Sequence, residues 1–465
     1  MGDLRQQIAA WGGGGGVAPA MGTTPGHKAE AAVVRSELPA AGTDYFELKA
    51  MVHEKVLGRL DLNLAESLPP DQLKAQLGLM VGDVVREMVL PLNEAENDRL
   101  TLDLQHEILG LGPLEELLSD ASISEIMVNG ARRVFVERRG KIELTNIRFD
   151  DDQHVLKVID RIVSRVGRRV DEASPMVDAR LEDGSRVNAI IPPLALDGPT
   201  LTIRRFATVP LQIGDLVRKQ ALTEDMSALL AGLVRSKANI IVSGGTGSGK
   251  TTLLNILSGF IPGDERIVTL EDTAELQLQQ PHVVRLESRP ANIEGKGAIS
   301  MRALVKNSLR MRPDRIVVGE VRGGEVIDML QAMNTGHNGS LATVHANTPR
   351  DALARLENLV ALAGVQIPLK ALRQQIVAAV HFIVQTARIL DGSRRIMSIT
   401  EITGMEGEVI TTQDIFVFDI SGTDGAGKVV GEFRPTGVRP MFWEELVRHG
   451  VHLNPSMFDP GAMGR

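Results

Sequence analysis

The segment best suited to chemistry spans residues 244–252 and reads GGTGSGKTT. It follows an apolar run at residues 239–243 and precedes an amphipathic run at residues 253–257. A loop of this pattern wraps a phosphate so closely that side chains would collide with it, which explains the glycines at Gly244 and Gly249. Because a strand-like run delivers the loop and a helix-like run follows it, the pattern indicates a P-loop rather than a glycine-rich surface turn.

The P-loop residues predict distinct roles around a bound nucleotide. Successive backbone N–H groups and the positive end of the following helix are expected to hold the phosphate oxygens. Lys250 is expected to reach the β and γ phosphates and the Thr251 hydroxyl to ligate Mg²⁺, while Thr252 continues the helix. The expected nucleotide-binding residues are Gly244, Gly245, Thr246, Gly247, Ser248, Gly249, Lys250, Thr251 and Thr252.

Acidic residues follow two other apolar runs. Glu320 comes after the run at residues 315–318, and Glu271 comes after the run at residues 266–270. Phosphoryl transfer asks the protein mainly to position water and to neutralise charge, so a carboxylate at such a strand end can orient or polarise the attacking water. Glu320 and Glu271 are therefore the predicted catalytic carboxylates.

Three further polar residues near strand ends have two interpretations each. Asp272 and Glu275 either extend the acidic cluster or cap a following helix, where negative charge is favourable. His345 directly follows the apolar run at residues 341–344. It is either a structural histidine or a group that hydrogen-bonds the γ-phosphate, and the sequence leaves both roles open.

Arginines recur beside apolar residues in two strand-like stretches before the P-loop. They are Arg180, Arg186, Arg204 and Arg205. They are either solvated strand edges, an interpretation that suits Arg186 best, or part of a cationic wall that faces the nucleotide.

Length and patterning predict more than one domain, because 465 residues exceed what one hydrophobic core usually serves. Residues 1–43, rich in Gly, Ala and Pro, are expected to form a disordered tail. Residues 44–112 predict a helical bundle whose third helix covers residues 97–109. The expected order continues with an α+β domain at 113–206, a linker at 207–221 and a P-loop domain at 222–465. In the P-loop domain, alternating strands and helices predict a mostly parallel sheet, and the residues after 396 predict hairpins.

Composition indicates which classes of binding partner to expect. The net charge is −8 and aromatic residues make up 3% of the chain, so the sequence offers neither the basic field nor the stacking residues typical of nucleic-acid binding. No apolar stretch approaches the ~20 residues that a membrane helix needs, and the N-terminus lacks a signal-peptide pattern. We therefore expect a cytoplasmic protein without a nucleic-acid partner.

Four segments in a fixed order resemble those of the bacterial secretion and type IV pilus motor ATPases. They are GGTGSGKTT, TLEDTAEL, RPDRIVVGEVRGGE and TGHNGSLATVHANTPRDALARLENL. Outside the motor core, GLGPLEELLSDASISEIMVNG and DARLEDGSRVNAIIPPL resemble the N-terminal domain of that superfamily. MEGEVITTQDIFVF and GVRPMFWEEL resemble the branch that drives tight-adherence (Tad or Flp) pili.

The resemblance implies an α/β fold, with a RecA-like P-loop motor domain after a PAS-like α+β domain and a helical bundle. It implies a homo-hexamer that uses ATP and Mg²⁺, with Thr251 and the Walker B carboxylate Glu320 at the metal. Glu271 would assist at the water and His345 would sense the phosphate. Arg180, Arg204 and Arg205 become candidates to approach the γ-phosphate.

The implied function is ATP hydrolysis that powers Tad pilus assembly, and possibly retraction, through an inner-membrane platform protein. The ATPase would associate with the membrane only through such partners. The type II branch commonly carries a four-cysteine zinc module, and this chain has no cysteine. The conjugation-related type IV secretion ATPases share the motor motifs but usually lack a helical segment like residues 44–109, and they are the alternative. A RecA-like nucleic-acid translocase is the alternative from a different class.

Overall fold

A computed structural model describes the chain at residues 45–60, 68–138, 140–206, 211–289, 291 and 296–461. The expected tail lies outside the described residues. The chain divides into two compact units, Met1–Phe206 and Ala207–Arg465. No helix in the described part is long and apolar enough to cross a membrane.

The first unit begins with three packed helices: α1 (Tyr45–Arg59), α2 (Pro70–Glu87) and α3 (Glu94–Leu109). Their apolar stripes bury one shared core, in which Val52 and Leu104 are fully inaccessible. Helix α3 begins three residues before the expected start, because the Asn93 side chain accepts a hydrogen bond from the Glu96 N–H while the Glu96 carboxylate accepts one from the Asn93 N–H. This capping box satisfies two N–H groups that a helix end otherwise leaves without partners.

The rest of the first unit is an antiparallel six-stranded sheet with the strand order β3-β2-β1-β6-β5-β4 among the described residues. Its elements are α4 (Leu114–Ser119), β1 (Ile123–Asn129), β2 (Val134–Arg138), β3 (Lys141–Leu144), α5 (Asp152–Arg165), β4 (Met176–Arg180), β5 (Arg186–Ile190) and β6 (Thr200–Arg204). Alternate strand residues such as Ile126 and Leu201 pack with the α5 residues Val155 and Ile159 in one core. An α+β arrangement results.

The second unit is built on a nine-stranded sheet with the order β15-β14-β13-β12-β7-β11-β10-β8-β9 among the described residues. Its strands are β7 (Ile240–Gly244), β8 (Ile267–Glu271), β9 (Val283–Glu287), β10 (Arg315–Val321), β11 (Leu341–Val344), β12 (Phe382–Arg388), β13 (Arg394–Glu406), β14 (Val409–Thr423) and β15 (Val429–Pro435). Strands β12, β7, β11, β10, β8 and β9 pair in parallel. The antiparallel hairpins of β13 to β15 extend the same sheet.

Helices cover both faces of this sheet. They are α6 (Ile213–Arg218), α7 (Glu224–Arg235), α8 (Lys250–Ser258), α9 (Met301–Ser308), α10 (Glu325–Asn334), α11 (Pro349–Leu362), α12 (Leu369–Ala379) and α13 (Trp443–Arg448). Successive β7 residues enter different cores, since Ile241 packs with α10 to α12 whereas Ile240 and Val242 pack with α7 and α8. The α/β class and the doubly wound sheet predicted from the sequence are confirmed.

Helix α6 lies inside the segment expected as a linker, residues 207–221. Its residues Ile213, Leu216 and Val217 are partly buried against the core of the second unit. The helical spacing of these three apolar residues is short, and the nearby Pro210 and Gly214 favoured a loop interpretation.

The fully buried Asn239 ties the start of β7 to two neighbouring segments. Its Oδ1 accepts hydrogen bonds from the N–H groups of Gly339 (2.8 Å) and Ser340 (3.0 Å), and its Nδ2 donates to the Ala379 carbonyl (2.6 Å). The side chain therefore fixes where β11 begins beside β7, and with it the position of His345 at the far end of β11.

We expect Asn239→Ala to destabilise this part of the sheet by roughly 2–4 kcal/mol, because two buried N–H groups lose their acceptor. Hydrogen exchange of residues 339–344 measures the effect directly. The exposed Asn338 in the adjacent turn supplies the control Asn338→Ala, which should leave protection unchanged. Equal protection in the two variants would contradict the assigned role.

Candidate functional site

The P-loop lies between β7 and α8, and helix α8 already begins at Lys250. Gly249 has φ 96°, a left-handed conformation that favours glycine, and it turns the chain into the helix. The Lys250 ammonium donates to the Gly245 carbonyl (2.9 Å), so it lies over the loop. The Thr251 side chain is half-buried and Thr252 is exposed. A positive helix end with a lysine folded over it suits a bound phosphate.

Glu320 lies inside β10, which extends to Val321 rather than ending at residue 318. Its carboxylate accepts a hydrogen bond from the Arg322 guanidinium at 2.5 Å. The same guanidinium lies 3.8 Å from the Asp272 carboxylate. Arg322 thus joins the acidic groups of two strand ends, and the sequence reasoning missed it. The signal was present, because in an extended chain residues two apart lie on the same face.

Glu271 ends β8 and is buried. Its Oε2 accepts from the N–H groups of Glu275 (2.7 Å) and Leu276 (3.0 Å), while no described donor reaches its Oε1. Burial raises the pKa of this carboxyl group against the opposing effect of those two hydrogen bonds. Gly319 makes room for it, since a Cβ at Gly319 would lie 2.8 Å from the Glu271 Cγ. One oxygen anchors the following loop, and the other is buried without a hydrogen-bond partner among the described residues.

The helix-cap interpretation of Asp272 and Glu275 is wrong. Residues 272–282 contain no helix, and the chain reaches β9 as an irregular segment. Asp272 instead accepts a hydrogen bond from the Ser288 hydroxyl (3.0 Å) and lies beside Arg322. The Glu271 carboxylate accepts hydrogen bonds from the following loop and so stabilises an irregular segment, not a helix, after β8.

His345 follows β11, the strand that separates the P-loop strand β7 from the Glu320 strand β10. The histidine is exposed. The next carbonyl, that of Ala346, accepts hydrogen bonds from the Ser243 hydroxyl (3.4 Å) and the Gln385 amide (3.2 Å). The structure therefore places the P-loop, Glu271, Glu320 and His345 at one edge of the sheet, where ligands of parallel sheets bind.

A second side of the P-loop was missed entirely. The Thr386 hydroxyl of β12 donates a hydrogen bond to the Ser248 hydroxyl (2.9 Å) inside the loop. Arg394 of β13 donates from Nε to the Gly247 carbonyl (2.9 Å) across 147 residues of sequence. No local sequence pattern predicts these contacts, because they depend on the pairing of β12 with β7.

In the first unit, register places three arginines in one row across the sheet. Arg180 opposes Arg186, and Arg186 opposes Arg204. Directly opposed strand residues point to the same face. Arg205 lies outside this row, and its guanidinium donates to the Asp120 carbonyl. The row thus includes Arg186, which the sequence favoured as a solvated edge, in place of Arg205.

The P-loop with its lysine and the acidic residues of β8 and β10 lie at the same edge of the parallel sheet. The chain is a P-loop ATPase. A family model described as "Type II/IV secretion system protein" matches residues 107–428, which is more than half of the chain. The chain belongs to this family.

Similar proteins carry related names. A "Putative conjugal transfer protein" of Mycobacterium tuberculosis is 42% identical over 312 residues, covering 66% of this chain and 88% of the relative. The "Conjugal transfer protein TrbB" of Rhizobium radiobacter is 36% identical, with 64% and 88% covered. The crystal structure of the VirB11 ATPase from the Brucella suis type IV secretion system, in complex with sulphate, is 27% identical, with 62% and 94% covered and a TM-score of 0.34.

Proposed function

We propose that this chain is the Mg²⁺-dependent motor ATPase of a Tad-type pilus, working as a hexamer on an inner-membrane platform protein. In this proposal Thr251 and Glu320 hold the metal, Glu271 assists at the attacking water, and His345 responds to the γ-phosphate. Arg180 and Arg204 are proposed to add positive charge near that phosphate. Arg205 remains the third candidate, and its guanidinium donates a hydrogen bond to the Asp120 carbonyl.

One observation carries the choice of branch. Helices α1 to α3 bury their own apolar core, in which Leu77 and Leu100 are fully inaccessible. Nearly all of these helices precede residue 107, where the family match begins. An additional folded element of this kind fits the Tad motors, whereas the conjugation-related motors usually lack a helical segment at this position. Such an element offers a surface for a partner specific to the pilus system.

The names of the relatives favour a second candidate, an ATPase of a conjugation-related secretion system. The Mycobacterium tuberculosis and Rhizobium radiobacter relatives are both described as conjugal transfer proteins. Both candidates use the same motor chemistry. They differ in the machinery that receives the mechanical work.

Deleting the gene from its source cell and restoring variants separates these candidates. Wild type and Glu432→Gln, which changes an exposed β15 residue, should restore surface pili, whereas Lys250→Ala should not. Plasmid transfer should be unaffected throughout. Loss of plasmid transfer with normal pili would overturn the Tad proposal in favour of conjugation. Purified protein whose ATP turnover rises strongly with single-stranded DNA would instead indicate a nucleic-acid translocase.

A further inference from the structure

The hairpin of β12 and β13 stands beside the P-loop. Its turn covers residues 389–393 and is closed by a hydrogen bond from the Ile389 N–H to the Ser393 carbonyl (2.9 Å). Strand β12 runs parallel to β7 up to the pair Thr386 and Gly244, the residue where the P-loop starts. The hairpin therefore extends past the sheet edge on the β12 side of the loop.

Two arginines at the base of this turn lie against the P-loop backbone. The Arg394 Nε donates to the Gly247 carbonyl (2.9 Å), and a Cβ at Gly249 would lie 3.3 Å from the Arg394 Cδ. A Cβ at Gly247 would lie 3.7 Å from the Arg388 Nη1. Both side chains are exposed. The hairpin thus brings two guanidinium groups to the middle of the loop.

The same two arginines oppose each other directly across the hairpin. Like charges at directly opposed positions destabilise a strand pair. The hairpin's own acid, Asp391, is committed to the turn, because it accepts hydrogen bonds from the N–H groups of Ser393 (2.8 Å) and Val429 (3.0 Å). Its hydrogen bond with Ser393 outweighs burial and helps lower the pKa of this carboxyl group to about 2. Two guanidinium groups held beside a phosphate loop suit an anion bound between them.

The strand order indicates which part of the nucleotide this anion is. Glu320 and His345 belong to β10 and the end of β11, on one side of β7, while the hairpin lies on the opposite side. In the proposed function these carboxylates act at the γ-phosphate, which leaves the hairpin facing the end of the nucleotide that ATP and ADP share. We propose that Arg388 and Arg394 bind the α- and β-phosphates and act in affinity for both nucleotides rather than in bond cleavage. The inference rests on the proposed nucleotide-binding and catalytic roles of this site and is independent of the pilus assignment.

The test measures binding of ADP and of a non-hydrolysable ATP analogue by the full chain in competition with a fluorescent nucleotide. Arg388→Ala and Arg394→Ala should each weaken both ligands by the same factor, roughly tenfold, as expected for one charge-assisted contact. The turnover number at saturating ATP should stay within about twofold of wild type, so that only the KM rises. Arg388→Lys and Arg394→Lys keep the charge and should recover part of the affinity.

Thermal unfolding without nucleotide separates ligand binding from a structural role. Arg388 is exposed, so Arg388→Ala should change the unfolding temperature little. Arg434→Ala removes an exposed arginine that pairs with Asp419 elsewhere in the sheet and should not change affinity. Wild-type affinity in both alanine variants, weakening of the ATP analogue alone, or a loss of stability that accounts for weaker binding would each overturn the proposal. If wild type and Lys250→Ala both bind no nucleotide, the P-loop assignment itself fails.

Discussion

Glu320→Gln is expected to bind ATP as wild type does and to hydrolyse it roughly 10²- to 10⁴-fold more slowly, the usual loss when a positioned acid–base group is removed. Glutamine keeps the shape of the side chain, and its carbonyl oxygen can still accept the hydrogen bond that Arg322 now donates to Glu320. What disappears is the negative charge that we propose to orient the attacking water and to hold the metal. The turnover number should therefore fall while nucleotide affinity stays unchanged.

Lys250→Ala, in contrast, should lose nucleotide affinity. Its ammonium lies 2.9 Å from the Gly245 carbonyl, directly over the loop that receives the phosphates. Removing it should weaken ATP binding roughly 10- to 100-fold, as expected for a charge-assisted phosphate contact. Measuring phosphate release and nucleotide affinity on the same preparations separates the two effects, with Glu432→Gln as a carboxylate control on the distant strand β15.

Glu271→Gln decides between the two candidate carboxylates. Glu271 holds the loop through Glu275 and Leu276, contacts that a glutamine oxygen can keep. We expect a smaller loss of turnover than for Glu320→Gln. If Glu320→Gln retains normal hydrolysis and Glu271→Gln does not, the water-positioning role belongs to Glu271 and the assignment of Glu320 is wrong.

Local patterns were sufficient to predict which strands carry the candidate site residues. The P-loop is contiguous, and the runs that end near Glu271, Glu320 and His345 are buried parallel strands whose carboxyl ends meet at one edge. Both faces of such a strand are covered, so the apolar run is continuous and easily recognised. Strand ends were less accurate, because β10 continues past Gly319, a residue that would ordinarily weaken a strand.

Contacts between distant segments could not be predicted in this way. Arg394 reaches Gly247 only because β12 and β13 are added beside β7, and nothing near either residue encodes that pairing. The same limit applies to the arginine row of the first unit, since register decides that Arg186 and not Arg205 stands beside Arg180. Residue types thus indicated the chemistry, whereas strand order and register determine which residues lie next to one another.

A buried charge network in the first unit carries the second large prediction. The Glu107 carboxylate on α3 accepts hydrogen bonds from the Lys49 ammonium of α1 (2.9 Å) and from the His154 Nε2 of α5 (2.9 Å). All three side chains are at most 8% exposed. Asp150 lies 3.3 Å from both cations. Glu107, Asp150 and His154 are close enough together to hold a metal ion, and here the Lys49 ammonium supplies the positive charge among them.

We expect Glu107→Gln to destabilise the helical bundle by roughly 3–5 kcal/mol, because Lys49 and His154 would remain buried without their shared counter-charge. The chain has a single tyrosine, Tyr45 of α1, which donates a hydrogen bond to Asp103 of α3. Fluorotyrosine at this position gives one ¹⁹F signal that reports bundle unfolding in urea. Glu54→Gln, at an exposed position of α1, should change stability by less than about 0.5 kcal/mol.

The same network predicts a stability maximum near pH 6.5. Burial lowers the pKa of His154, but hydrogen bonds and charges from Asp150 and Glu107 outweigh it and raise this pKa to about 9. The stability from His154 is therefore complete below pH 6.5 and is lost as the pH rises through about 9. Burial lowers the pKa of the neighbouring His53 to about 4, so the unfolded chain binds the extra proton between pH 4 and 6.5, and stability falls as the pH drops through that range. Each limb should have a slope of up to about 1.4 kcal/mol per pH unit. In Glu107→Gln the free energy of unfolding should depend less steeply on pH above pH 6.5. An unchanged slope in that variant would show that Glu107 does not raise the pKa of His154.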